Sequence, residues 1–348
     1  MAFHRNQGLQ IMRALALLAV LLRHALAQVP SAPFTDALER VVVCFHMPAF
    51  FILAGYFFQL GYEGYLRRGR VRFLIGKAKH LLLPYLFWFT LLWAGVQLAF
   101  LVPPLRGFLR ASGFAPMGPG DLLRGLLLQD PVYTEHLWFL YVLFAYFLAH
   151  ILLGRGGAAW YGSLAAAALG LGAALVKLPS LAERMLSWGV FFCAGRLLGD
   201  RPALVQALKR MRAPVPPLLF AVSAAALLWL NGRLPALPHR LLQWVVGLTG
   251  CLLLYRLSLA LVRSPAARPL TALGDASYAV YLMHNPYFVA LPCALLTRMG
   301  LSAAIVLPLG VALGAAGPLL LQRLAIGRFR WLRRIALGQW SDQPKENA

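Results

Sequence analysis

Long apolar runs alternate with short polar segments along most of the chain. A helix rises about 1.5 Å per residue, so crossing a hydrocarbon core of ~30 Å takes about 20 apolar residues. This criterion predicts ten spans, near residues 9–29, 41–61, 81–103, 137–153, 158–176, 186–199, 216–231, 241–262, 277–297 and 300–322. The pattern therefore predicts an all-α fold, a polytopic integral membrane bundle of about ten transmembrane helices.

Composition and charge support this prediction and orient it. Of 348 residues, 60% are hydrophobic and 13% charged, and the mean hydropathy is +0.69, well outside the range of soluble globular proteins. The net charge of +22 indicates a lipid bilayer rather than nucleic acid as partner, because Lys and Arg concentrate in the loops. With the N-terminus inside, 20 of them fall on the cytoplasmic side and 9 on the other. Both termini are therefore predicted to be cytoplasmic.

The connections between runs leave no room for a soluble domain. The longest, residues 104–136, is rich in Gly and Pro and is predicted to be an external loop that caps a cavity. We expect a transmembrane domain over residues 1–326 and a basic cytoplasmic tail over 327–348, whose first part is amphipathic and suits a helix on the inner membrane face.

The four cysteines indicate neither a disulfide framework nor a zinc site. Cys44, Cys193, Cys251 and Cys293 lie scattered through apolar runs without CxxC spacing. They are typical of small core residues, so we expect no metal and no permanently bound cofactor.

The first run carries Arg13, Arg23 and His24 inside an otherwise apolar segment. Ionisable groups at membrane depth are costly and mark a candidate site by default. Arg13 and His24 are eleven residues apart, which places them on one helix face about 16 Å apart along the axis. On this evidence alone, an Arg13 that snorkels to the headgroups and a His24 that only packs against a neighbouring helix remain equally open. Arg23 points about 100° away from His24 and is predicted to be a structural or external anchor.

The second run, CFHMPAFFILAGYFF, contributes His46 and Pro48. Proline removes a backbone donor and is expected to disturb the helix beside that imidazole. His46 is a candidate for substrate binding, with an interfacial histidine as the equal alternative, whereas Gly55 is expected to permit close helix packing.

The loop after the second run is densely basic. Its cations suit a phosphorylated cytosolic ligand, although such a loop also satisfies the positive-inside rule by itself. The candidate donor-binding residues are Arg67, Arg68, Arg70, Arg72, Lys77 and Lys79.

Two later segments add candidate substrate-binding residues. Glu135 and His136 precede an aromatic helix that begins at Trp138, and a carboxylate next to an imidazole can orient it. Tyr281 and His284 are three residues apart, hence neighbours on one helix face, just before Pro286. The other interpretation of Trp138 is an interfacial aromatic belt or the core, which is the role expected for most aromatic residues of this segment.

These motifs together resemble the membrane acyltransferase-3 family of bacterial O-acyltransferases. The resemblance rests on R-x10-H (Arg13 and His24), FHMPAFFILAGYF, the basic loop ending in LLLPY, and HLWFL followed late by SYAVYLMH. It covers most of the chain and leans towards the periplasmic-glucan succinyltransferase branch. Ala54 departs from the family pattern, which usually has Ser at that position.

The resemblance implies transfer of a short acyl group, acetyl or succinyl, from cytosolic acyl-CoA to a hydroxyl of an extracytoplasmic glycan or related acceptor, by a multi-pass protein of the bacterial inner membrane. His24 would be the catalytic base, because a thioester has a good leaving group and needs only a deprotonated acceptor. Arg13 would hold a donor phosphate or carbonyl, and the basic loop the nucleotide end.

Two other classes of function remain open at this point. Buried Arg and His residues also serve carriers, so a transporter or flippase of a sugar, lipid-linked sugar or small acid is the main alternative. A protein that only assembles glycan enzymes is a weaker one. The acyl group, the acceptor and the oligomeric state do not follow from the sequence.

Overall fold

The computed structural model describes residues 6–111, 113–129, 135–153 and 158–340, without the side chains of Glu135 and residues 158–160. All regular structure in these ranges is helical. The α-helices are α1 (Gln7–Leu26), α2 (Pro33–Arg68), α3 (Arg70–Lys77), α4 (Leu83–Leu101), α5 (Pro103–Ala111), α6 (Pro119–Leu128), α7 (Trp138–Leu153), α8 (Ala158–Gly172), α9 (Ser180–Asp200), α10 (Pro202–Arg210), α11 (Val215–Leu230), α12 (Ala236–Leu261), α13 (Ala267–Met283), α14 (Ala290–Arg298), α15 (Ala303–Leu324) and α16 (Arg330–Leu337). A π-helical turn, Ala78–Leu82, joins α3 to α4, and 3-10 turns occupy Glu135–Leu137 and Ile326–Arg328.

Five stretches of the described chain are long and apolar enough to cross a membrane. They are α1, α2, Arg70–Leu101, α12 and Ala303–Arg328. The pair α10 and α11, bent by 91°, would add a sixth if it forms one broken span. Each of the ten predicted runs contains a helix, but α7 and α8 are short for a crossing, so the count of ten stays a prediction. Three cations of the orientation argument, Arg5, Arg155 and Lys345, lie outside the described residues.

In two of the predicted spans, the helices of the structure break at other places than the sequence predicts. The run 277–297 is not one helix, because α13 ends at Met283 and α14 starts only at Ala290. By contrast, α2 continues through Pro48 for 36 residues, so this proline does not end the helix. A proline at position 48 leaves the carbonyl of Cys44 without its helical donor.

The connection 104–136 is not the simple external loop that was predicted. It contains α5 and α6, and α6 packs back along α4. The Met117 carbonyl accepts from Trp93 Nε1 at 3.1 Å, and the Leu126 carbonyl accepts from Tyr85 Oη at 2.7 Å. The segment therefore runs antiparallel to α4, from the level of Trp93 back to that of Tyr85. There the side-chain amide of Gln129 donates to the Tyr85 hydroxyl. Leu122 and Leu126 pack against the main core, which gives this return path its apolar contact.

The tail docks on the bundle. Ala336 and Leu337 of α16 are 0% exposed. The Ala336 carbonyl accepts from Trp88 Nε1 at 2.8 Å, and the Gly338 carbonyl lies 3.2 Å from His80 Nδ1. The predicted amphipathic helix thus packs where α3 meets α4, while residues 341–348 of the predicted tail lie outside the described chain.

Glycines let the helices around the site approach to backbone contact. A Cβ on Gly195 of α9 would overlap the Ile52 carbonyl of α2, and one on Gly55 would overlap the Phe192 carbonyl. A Cβ on Gly274 of α13 would likewise overlap the carbonyl of Gln10 on α1. The packing role expected for Gly55 is confirmed, and these contacts hold α1, α2, α9 and α13 together around a common interior.

Arg196, a charge inside the predicted sixth span, belongs to a buried polar network between α2, α7 and α9. Its Nη1 lies 2.7 Å from His150 Nδ1, and its Nε donates to Gln59 Oε1 at 3.1 Å. The side chain is 1% exposed. Because a buried guanidinium needs hydrogen-bond acceptors, this network ties the three helices together.

Candidate functional site

Three histidines from distant parts of the chain form one cluster. His24 near the end of α1, His136 in the turn before α7 and His284 at the end of α13 bring their rings together. The ring centroid of His284 lies 5.0 Å from that of His24 and 5.0 Å from that of His136, and His24 and His136 are 6.3 Å apart. The helix pairing of α1 with α13 creates this cluster, which we call the histidine cluster.

A cavity of about 280 Å³ opens beside the cluster, and we call it the histidine cavity. It brings together four of the predicted substrate-binding residues, His46, His136, Trp138 and Tyr281, with His24. His284 is fully buried behind them. The side chain of Glu135 lies outside the described part of the chain.

Hydrogen bonds to backbone carbonyls orient two of the imidazoles. His46 Nδ1 lies 2.9 Å from the Val42 carbonyl, and His284 Nδ1 lies 2.8 Å from the Tyr281 carbonyl. A carbonyl accepts only, so in each ring Nδ1 donates and Nε2 carries the lone pair. The buried Nε2 of His284 has no hydrogen-bond partner among the described residues. It therefore presents a proton acceptor within the cluster.

Tyr281 separates the histidine cavity from a second cavity. Its hydroxyl donates to the His136 carbonyl, which fixes the ring beside the cluster. The same residue lines a cavity of about 280 Å³ that also contains Arg13, Lys77, His80 and Asp275, and we call this the Arg13 cavity. Arg13 and His24 thus occupy neighbouring cavities that share one wall residue.

Several contacts hold the Arg13 side chain in place. Nη1 donates to Gln10 Oε1 at 3.2 Å, and the guanidinium carbon lies 5.0 Å from the centroid of the Phe57 ring. The guanidinium is therefore supported by α1 and α2 while it lines the cavity, as a group positioned for a ligand would be.

A third cavity, of about 370 Å³, continues from the Arg13 cavity to the basic loop. Arg68, Arg72, Lys77 and His80 line it, and Lys77 and His80 line the Arg13 cavity as well. We call it the basic cavity. Arg67 and Arg70, predicted with the others as donor-binding residues, are exposed and do not line it. Lys79 does not line it either, because its ammonium lies over the Trp340 ring at 4.9 Å.

His80 is a residue of the site that the sequence did not single out. It lies in the π-helical turn, a type of irregularity that is frequent at functional sites. Its ring stacks on Tyr278 with centroids 4.7 Å apart, and the Tyr278 hydroxyl donates to its carbonyl. The sequence shows a proline, Pro84, shortly after the basic loop. No residue pattern identifies a π-helical turn, however, so the turn at His80 could not be predicted.

The charged wall of the histidine cavity was also missed. Arg23, Glu183, Arg184 and Arg240 line it together with Ser187 and Trp188. Arg23, which was predicted to be an anchor that points about 100° away from His24, therefore lines the same cavity as His24. Glu183, Arg184 and Arg240 stood in predicted loops, whereas α9 begins at Ser180 and α12 at Ala236, so these side chains project from helices.

The three cavities form a series. The basic cavity offers guanidinium and ammonium groups, which suit phosphates, whereas the histidine cavity combines guanidinium groups with several imidazoles, which suit proton transfer. Among the described residues, no group of three His, Cys, Asp or Glu side chains has an arrangement that could hold a metal ion.

Comparison with known proteins gives one match. A family model described as "Acyltransferase domain" matches residues 6–323. No curated protein and no solved structure matches the chain.

Proposed function

Since the chain belongs to the acyltransferase-3 family and is a membrane acyltransferase, we propose that it moves a short acyl group, acetyl or succinyl, from cytosolic acyl-CoA to a hydroxyl of an extracytoplasmic glycan or related acceptor. The observation that carries this proposal is the series of cavities that leads from the cations of the basic cavity past Arg13 to the histidine cluster.

The donor enters from the basic cavity. Arg68, Arg72 and Lys77 bind the phosphates of the nucleotide end, and Arg13 binds a phosphate or the thioester carbonyl further in. Arg13 and His24 are about 16 Å apart along α1, comparable to the reach of an extended pantetheine arm. The acyl end thus reaches the histidine cluster past Tyr281.

His24 is the catalytic base of the reaction. It takes the proton from the acceptor hydroxyl, and the oxygen attacks the thioester carbonyl. The new C–O bond forms, the C–S bond breaks, and the thiolate leaves and receives the proton from the imidazolium. His136 and His284, with ring centroids 6.3 Å and 5.0 Å from that of His24, share and orient this proton.

The finer topology belongs to the same proposal. Ten spans with both termini in the cytoplasm of a bacterial inner membrane would place the basic cavity inside, where acyl-CoA is made, and the histidine cavity towards the outside. The loop charges and the helix within each predicted run support this arrangement.

A transporter or flippase of a sugar, lipid-linked sugar or small acid is the second candidate, favoured by the same series of cavities through a membrane protein. Purified protein in vesicles, given acyl-CoA labelled in the acyl group and an extract of surface glycans, distinguishes the two. An acyltransferase labels the glycan and releases CoA, whereas a carrier accumulates unmodified solute. Accumulation without labelled product would overturn the proposal.

A further inference from the structure

His80 lies where two cavities of the site meet. It lines both the basic cavity and the Arg13 cavity, as Tyr65 and Lys77 also do. A molecule that extends from one of these cavities into the other therefore passes the His80 side chain. In the proposed function, the donor takes this path, with its phosphates in the basic cavity and its acyl end beyond Arg13.

Two contacts fix the orientation of the His80 ring. Nδ1 lies 3.2 Å from the Gly338 carbonyl, and the ring stacks on Tyr278 with an angle of 20° between the two planes. A carbonyl oxygen only accepts, so Nδ1 donates and Nε2, on the other edge of the ring, carries the lone pair. The residue remains exposed. The ring therefore offers a hydrogen-bond acceptor at a fixed place between the two cavities.

The partner of His80 belongs to residues 338–340, which follow α16 and which we call the terminal segment. In this segment, Trp340 Nε1 donates to the Lys79 carbonyl at 3.2 Å. The Lys79 ammonium lies 4.9 Å from the centroid of the Trp340 ring, and the Arg334 guanidinium carbon lies 5.8 Å from it. Such contacts between a cation and an aromatic ring are attractive. Two successive residues of the π-helical turn, Lys79 and His80, are thus tied to the terminal segment.

Gly338 lets the terminal segment approach the turn this closely. It ends α16 in the left-handed conformation, with φ of 61°, which favours glycine. A Cβ at this position would lie 2.7 Å from both the Cα and the carbonyl oxygen of His80. The two stretches of backbone therefore pack directly on each other. The family model ends at residue 323, so membership of the family does not account for this contact.

The donor carries matching groups at this point of its path. The pantetheine arm of acyl-CoA joins the phosphates to the thioester, and its amide and hydroxyl groups donate hydrogen bonds. We infer that His80 Nε2 accepts a hydrogen bond from the pantetheine arm, and that Gly338 and Trp340 are positioning residues that hold His80 in place for it. This inference rests on the proposed function for the identity of the donor, whereas the contact between the terminal segment and the turn can be measured without acyl transfer.

Two donors locate the contact of His80. Acyl-pantetheine has the arm and the thioester but no phosphate, and it is compared with acyl-CoA at equal amounts of folded protein. His80→Ala should raise the KM of both donors by about three- to tenfold, the effect of one lost hydrogen bond, and should change kcat less. Arg72→Gln is the matched comparison, because Arg72 lines the basic cavity but not the Arg13 cavity, and it should raise the KM of acyl-CoA alone. An effect of His80→Ala confined to acyl-CoA, or no effect on either KM, would overturn the inference.

Substitutions in the terminal segment show whether it acts through His80. Trp340→Ala and Gly338→Ala should raise the KM of acyl-pantetheine, but should raise it no further in a protein that already carries His80→Ala. Trp340→Phe keeps a ring for the neighbouring cations and should restore part of the affinity. Trp331→Ala is the control, because Trp331 is 58% exposed on α16 and takes no part in the bonds given above. Effects of Trp340→Ala that are equal with and without His80 would refute the positioning role.

Hydrogen exchange separates this inference from the proposed function. Peptides that cover Ala78–Leu82 should exchange faster in Trp340→Ala than in the wild type or in Trp331→Ala, because the turn loses its contacts with the terminal segment. Unchanged exchange would overturn the positioning role. Faster exchange in a protein that transfers no acyl group would refute the proposed function, and the contact with pantetheine along with it, but would leave the hold of the terminal segment on the turn standing. Normal transfer that His80→Ala leaves unchanged with both donors would refute this inference alone.

Discussion

At the scale of single residues, the environment of His24 agrees with the catalytic role that we propose for it. Its ring borders a cavity, lies close to two further imidazoles and contacts Arg23. A histidine that only packs against a neighbouring helix needs one acceptor and no cavity. These surroundings support the proposed proton transfer between His24 and a bound acceptor.

His24→Ala is expected to lower acyl transfer by about 10²–10⁴-fold, the usual contribution of a positioned general base. Transfer is measured in membranes supplied with labelled acyl-CoA, at equal amounts of folded protein. His239→Ala serves as the control, because His239 lines none of the three cavities. Normal transfer by His24→Ala at unchanged expression would contradict the assignment.

Arg13→Lys keeps the charge but loses the planar fork of the guanidinium. We expect a weaker affinity for acyl-CoA, measured as a raised KM for the donor, because Arg13 lines the cavity through which, in our proposal, the donor enters. Lys77, which lines the same cavity, has no planar fork to replace it. An unchanged KM would show that a point charge suffices at this position.

At the scale of helices, the site depends on close backbone contact. The histidine cavity is built from α1, α2, α9, α12 and the segments around His136 and Tyr281. The contact of α2 with α9 at Gly55 and Gly195 sets how close His46 comes to the charged wall of α9. Small residues at such crossings allow approach distances that a larger side chain prevents.

Gly195→Ala therefore tests this packing. The new methyl group would overlap the Ile52 carbonyl, a backbone atom that cannot turn aside, so we expect destabilisation of about 1–3 kcal/mol or more. A lowered apparent Tm of the detergent-solubilised protein measures it. In Gly162→Ala, where no atom lies within 4 Å of the added Cβ, Tm should stay constant or rise slightly, because alanine favours helix. A similar Tm for the two variants would show that α2 and α9 separate at little cost.

At the scale of the whole molecule, the three cavities lie in a fixed order, from the basic cavity through the Arg13 cavity to the histidine cavity. The basic cavity lies next to the loop of residues 67–79 and the docked helix α16, and the histidine cavity lies at the other end of α1. This arrangement agrees with a donor from one side of the membrane and an acceptor from the other.

The predicted orientation can be measured by cysteine labelling. The native cysteines are buried, so single cysteines at exposed Arg67 and Asn231 can be followed with a membrane-impermeant maleimide. We expect Asn231→Cys to be labelled in intact cells and Arg67→Cys only after permeabilisation, since the loop charges place residue 67 inside and residue 231 outside. Labelling of both from the same side would refute the ten-span topology.

The sequence by itself determined the helical class, the approximate position of each long helix and the family. These depend on hydropathy summed over about 20 residues and on short motifs, and both are properties of contiguous chain. The shared face of Arg13 and His24 also followed from helical periodicity alone, and in the structure both residues line cavities that meet at Tyr281.

Only the tertiary structure decided which side chains meet. Residues 24, 136 and 284 form one cluster because of the way in which α1, α7 and α13 pack. Packing fixes which face of each helix points inward, and hydropathy does not report that orientation. The return of α6 along α4 depends on hydrogen bonds from Tyr85 and Trp93, which no local pattern announces. Arg184 and Arg240 counted in the sequence as charges near the membrane surface. They became part of the site because α9 and α12 start earlier than their apolar runs and bring both residues to the wall beside His24.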